Sequence, residues 1–169
     1  RQNMGGVVAQ LLHERHPAAE AAVVDVDGNI SSGDCTFSSR AASMPEDELL
    51  ARGWSRLHDA IRGAGREDVA LAGYWASLRL ADPLAFHANS LELVELSATG
   101  ELAARLAALP VPTLFVAGAP GGACARSLEL LEAAGVATTR IGPAGHWPFV
   151  DQPQRFATAL GAMLDDLEV

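Results

Sequence analysis

Three short apolar runs set the frame for this chain: Ala21 to Val26, Val111 to Ala117 and Val136 to Ile141. Each is rich in β-branched residues, and glycine-containing segments and helical patterns separate them. Runs of this length and composition read as buried strands of a parallel sheet, whose crossovers are supplied by helices. Gly5 to His16 reads as a helix, with Val7, Val8, Leu11 and Leu12 at helical spacing and Pro17 past its end. Gly28 to Asp34 reads as a loop. From Phe37 to about Leu109 the pattern is helical with breaks, with starts at Pro45, at Asp82-Pro83 and at Thr99-Gly100-Glu101. Ser127 to Ala134 reads as a helix stopped by Gly135. Gln154 to Leu167 is the last helix, with Phe156, Leu160, Met163, Leu164 and Leu167 on one face. The expected class is α/β, a short parallel sheet of about three strands flanked by helices, with a helical insertion. The core is expected over residues 1–33 and 110–169 and the insertion over 34–109.

The 169 residues suffice for one hydrophobic core. The net charge of −9, with twelve scattered arginines and no lysine, argues against a nucleic-acid partner. No apolar run reaches membrane-spanning length, and no signal-peptide pattern is visible at the start. The expectation is a cytoplasmic protein without a membrane partner. Cys35 and Cys124 read as reduced thiols without metal-ligand spacing, so no metal and no cofactor is expected. Gly118 to Gly122 is glycine-rich but lacks the lysine and spacing of a phosphate loop.

The block Gly142-Pro143-Ala144-Gly145-His146-Trp147-Pro148 places a glycine-flanked histidine between a strand and a helix. It resembles the catalytic-histidine turn of α/β-hydrolases. Two further landmarks carry the same resemblance in the same order. Asn3-Met4-Gly5-Gly6 resembles the second half of a nucleophile elbow running into its helix. Leu109 to Gly118 resembles the penultimate strand, which returns from the cap. The resemblance covers essentially the whole chain and implies a partial α/β-hydrolase fold from the elbow onward, with residues 34–109 as a helical cap.

Carried over residue by residue, it implies His146 as the general base, with Asn3 at the nucleophile position and the Met4 backbone N–H as an oxyanion donor. The departures are informative. A carboxamide has neither hydroxyl nor thiol to activate. The glycine of the elbow pattern falls on Arg1, which argues against a tight turn. No acid follows Gly118, where the family usually places one. Asp27, after the first strand, is the substitute, since some members carry their acid there. Asp25 is the poorer candidate, because alternation turns it away from Val26. Trp54, Trp75 and His87 are candidates for a substrate pocket in the cap, or simply cap core. His13 and His16 are expected on a surface helix and His58 on a cap helix.

The same resemblance implies that the strands preceding the elbow are missing, so the Ala21–Val26 edge needs cover. Either a homodimer or a complementing N-terminal chain would supply it. The functional expectation is a protein derived from a small-molecule ester or amide hydrolase, acting on a small-molecule substrate or ligand. The alternatives are a non-catalytic binding or partner subunit and a non-hydrolytic lyase or cyclase on the same cleft.

Overall fold

Alternation along the first strand decides which way the sheet faces. The computed structural model describes residues 3–18 and 20–166. Strand β1 (Val23–Val26) is followed in the sheet by β2 (Thr113–Gly121) and β3 (Thr138–Gly145), all parallel, in the order β1-β2-β3. Val26 sits opposite Val116 across β1 and β2, and Phe115 opposite Thr138 across β2 and β3. On one face Val24 and Val26 join Leu114, Val116 and Ile141. Phe156, Ala159 and Met163 of helix α10 (Pro153–Asp166) pack on them. Asp25 therefore points to the opposite face, as the alternation predicts. There it is fully buried, against Gly6 of helix α1 (Met4–Arg15).

The chain divides into two compact units, one of Arg1–Asp34 with Leu96–Val169 and one of Cys35–Glu95. In the first, β1 leads through a short 3-10 turn (Ser32–Asp34) out of the sheet. Helix α7 (Leu102–Ala107) precedes β2, and α8 (Ala125–Ala134) joins β2 to β3. Gly135 ends α8 in the left-handed conformation, at φ 74°. This is the stop signal the sequence carries. Helix α9 (Pro148–Asp151) intervenes before α10.

The second unit is helical: α2 (Thr36–Ala42), α3 (Glu46–Glu48), a π turn (Leu49–Gly53), α4 (Trp54–Ala64), α5 (Val69–Leu78) and most of α6 (Pro83–Ala98). Its core is Leu57, Ile61 and Leu78, flanked by Phe37, Trp54, Leu71, Tyr74, Trp75 and Phe86. Asp68 caps α5 by accepting the Ala70 and Leu71 amides, a role for which a short carboxylate is well suited.

Two expectations change. Strands β2 and β3 run about four residues past the apolar runs, because Pro120 pairs with Ala144 and Gly121 with Gly145. The glycines past the two runs permit close approach of two backbones. A Cβ at Gly118 would overlap the Gly145 carbonyl, and one at Gly142 would lie 2.8 Å from the Ala119 oxygen. His13 is also not on the surface. It is 1% exposed, with Nδ1 3.6 Å from a Glu20 carboxylate oxygen. Helix α1 packs against both β1 and α7, so it has two covered sides where the sequence suggested one.

Candidate active site

Each candidate from the first unit lies at the end of a strand or the start of a helix. Asn3 immediately precedes α1, with φ 55° and ψ −134°. Positive φ is uncommon outside glycine, and Asn is among the residues that tolerate it best. The strained turn thus forms at Asn3 despite the expectation drawn from Arg1, a residue outside the described ones. Asn3 N–H donates to the Val26 carbonyl at 3.3 Å, which ties the turn to the end of β1. Its Oδ1 accepts the Met4 N–H at 2.7 Å. The backbone donor singled out in the sequence therefore already has an acceptor, supplied by the preceding side chain.

Asp27 follows β1 with φ 46° and is 1% exposed. One carboxylate oxygen accepts the Gly118 N–H at 2.8 Å, the other the Ala123 N–H at 2.6 Å. Burial pushes its pKa up to about 7, with the Asp34 charge acting in the same direction and the two amides opposing. Asp25 is likewise pushed to about 7, first by burial and then by Asp27 and Asp34. Among the described residues neither Asp25 oxygen has a hydrogen bond of normal geometry. The Gly28 amide lies close enough only to favour the charge slightly.

His146 stands directly after β3 and before α9, half-buried, with its ring edge-on to Trp147 at 4.9 Å between centroids. Burial holds it below the ordinary imidazole range, while the Asp34 charge pulls the other way. A neutral imidazole at physiological pH is the form that accepts a proton. Asp27 approaches the same turn. The point occupied by a Cβ at Gly118 would overlap the Gly145 carbonyl and lie 3.1 Å from Asp27 Oδ2. A side chain at Gly118 would therefore run into both the carboxylate and the residue before His146.

Sequence reasoning passed over Asp34. It closes the 3-10 turn, accepting the Ile30 and Ser31 amides at 2.9 and 3.1 Å. It also accepts the Cys124 amide at 2.9 Å and the Ser127 hydroxyl at 2.5 Å. The only local signal is an aspartate three residues after Ser31, which is typical of turns generally.

The second unit holds the remaining candidates. His87 is buried, and its Nε2 lies 2.9 Å from the Met44 carbonyl oxygen. Trp54 packs on His58 and Phe86, with centroids 4.7 and 5.2 Å away. The Arg62 and Arg79 guanidinium groups lie 5.7 and 5.1 Å from the Trp75 ring. All three make these contacts within the helical unit. Among the described residues no His, Cys, Asp and Glu cluster could hold a metal, and no helix is long and apolar enough to cross a membrane.

No family model matches the sequence, and no curated protein does. Solved structures do. An esterase from Thermogutta terrifontis superposes with a TM-score of 0.74 at 17% identity, over 99% of this chain and 64% of its own. A hydrolase from Pseudomonas aeruginosa gives 0.69 at 25% identity, over 96% and 62%. An enol-lactonase from Burkholderia xenovorans gives 0.68 at 21% identity, over 97% and 64%. The chain spans about 64% of the length of the esterase it resembles. Its three parallel strands and flanking helices are a partial α/β-hydrolase fold.

Proposed function

We propose that this chain carries the elbow, acid and histidine of a hydrolase-like site for small esters, amides or lactones, with His146 as general base and no hydroxyl or thiol at the elbow. The observation that carries the reading is the position of His146: at the end of β3, half-buried, with burial holding the imidazole toward its neutral form. A base of this kind activates water directly, typically for a rate gain of about 10²–10⁴-fold. Asn3 supports the elbow assignment through its positive φ directly before α1. Its carboxamide cannot attack a carbonyl, so its part is to hydrogen-bond. Asp27, beside the His146 turn, is the carboxylate that would orient the ring. The likeness to an esterase and an enol-lactonase supports the substrate class. The reading includes a partner beside β1, either a second copy or an N-terminal complement, since β1 is the edge strand among the described residues.

The test is hydrolysis of p-nitrophenyl acetate by the full chain and by His146→Ala. Loss of about 100-fold or more in kcat/KM supports His146 as base. Turnover that survives the substitution removes it.

One observation favours a second reading, a non-catalytic binding protein. Asn3 Oδ1 already occupies the Met4 N–H that a substrate oxygen would use. Under that reading the wild-type chain shows no turnover above buffer, and Asn3→Ser, which frees the amide and supplies a hydroxyl, produces none either.

A further inference from the structure

We infer that Asp34 is a positioning residue for the His146 site, fixing the amides of Ala123 and Cys124 and, through them, the Asp27 carboxylate. The inference rests on the reading of His146 as the base of the site. Its geometric ground is a shared turn. Two consecutive backbone amides, Ala123 N–H and Cys124 N–H, donate to two different carboxylates, Asp27 at 2.6 Å and Asp34 at 2.9 Å. Both acids come from the segment after β1, and the turn they grip comes after β2. That turn has no acid of its own: it runs Ala119-Pro120-Gly121-Gly122-Ala123.

The Asp34 grip is built from several bonds. The Ser127 hydroxyl donates to Asp34, and Ser31 Oγ lies 2.7 Å from Ser127 Oγ. Cys124 Sγ lies 3.3 Å from each of those two hydroxyls. The Ile30 and Ser31 amides hold the carboxylate from its own loop. A carboxylate with four donors on both sides of a loop boundary has little freedom to move. The other half of the turn is shaped around Asp27: a Cβ at Gly122 would come 2.5 Å from both Asp27 Oδ1 and the Gly118 carbonyl. A Cβ at Gly118, whose amide Asp27 accepts, would meet both Asp27 and the carbonyl of Gly145, the residue before His146.

Asp151 bonds the residue before His146, while Asp27 and Asp34 bond the turn after β2. Asp27 stands at the end of β1, Asp34 in the 3-10 turn, and Asp151 in α9, where it accepts the Gly145 amide at 2.7 Å. Of these, Asp34 is the one whose charge favours the protonated ring. Asp34 thus holds the turn that holds Asp27, and its charge pulls the His146 ring toward its protonated form.

The experiment is an NMR titration of the His146 ring signals together with amide exchange at Ala123, in wild type, Asp34→Asn and Ser127→Ala. The proposal expects Asp34→Asn to move the His146 midpoint to lower pH and to speed Ala123 exchange. Ser127→Ala keeps the charge and removes one donor, so it should leave the midpoint in place and speed exchange less. An Asp34→Asn protein with both readouts unchanged, or with faster exchange at Cys124 alone, overturns the proposal. Should Asp34→Asn not fold, Asp34→Glu displaces the charge by one methylene. Faster Ala123 exchange in that variant supports the proposal, and unchanged exchange overturns it. Neither readout requires turnover, so failure of the hydrolase reading and failure of this inference are separable.

Discussion

Asp27 and Gly118 are joined by a 2.8 Å hydrogen bond from a backbone amide to a buried carboxylate, across the ends of β1 and β2. Asp27→Asn keeps a residue that tolerates positive φ but leaves one acceptor where there were two. One of the Gly118 and Ala123 amides then loses its partner. The expected cost is about 1–3 kcal/mol in urea unfolding. Under the hydrolase reading, kcat falls together with stability. An Asp27→Asn chain as stable as wild type contradicts the two-amide grip.

The two raised carboxylates give stability a definite pH dependence. In the unfolded chain Asp25 and Asp27 release protons near 3.8, and in the fold near 7. Between these values the folded state binds more protons, so stability is highest below about pH 4 and falls as pH rises toward 7. Each group contributes a slope of at most about 1.4 kcal/mol per pH unit. Asp25→Asn, which removes one titrating group, should flatten the decline in Tm between pH 4 and 7. A Tm that rises over this range in wild type contradicts the assignment.

Gly118→Ala tests the close approach of β2 and β3. The added methyl meets the Gly145 carbonyl, which is backbone and cannot rotate away. Strand separation or local distortion is expected to cost about 1–3 kcal/mol. The change is also expected to shift the Asp27 and His146 resonances. Gly161→Ala, where a Cβ meets nothing within 4 Å, should instead be neutral or slightly stabilising, as for glycine replaced inside a helix. Thermal melts of both variants check the pair.

Asn3 separates two contributions at one position. Asn3→Gly removes the side-chain bond to Met4 N–H but accepts the positive φ. Asn3→Ala removes the bond and also strains the backbone. Both lose stability, and the alanine variant should lose about 1 kcal/mol more. Equal melting temperatures would mean that the turn relaxes without Asn3.

How far the sequence is legible follows from the range of the interactions involved. The strand runs, the face occupied by Val24 and Val26 and the glycine stop of α8 all rest on local patterns. Each can be read within a few residues. The second half of β2 cannot, because a glycine placed to let two backbones approach looks the same as a glycine placed to turn one. His13 is misjudged for a similar reason: a helix covered on two sides has no single apolar stripe to identify it. Asp34 is the clearest case. Two of its four donors lie 90 and 93 residues away, and no spacing rule connects an aspartate in a turn to the start of a distant helix.

Asp25 lies between two glycines. A Cβ at Gly6 or at Gly28 would overlap its carboxylate, although these positions belong to α1 and to the loop after β1. The three residues share one volume, so their substitutions do not act independently. Gly6→Ala alone should be severe, but much of its cost should vanish when Asp25 becomes alanine. A double-mutant cycle would then give a large coupling energy between a helix and a strand at a point where the described residues show no hydrogen bond to the Asp25 carboxylate.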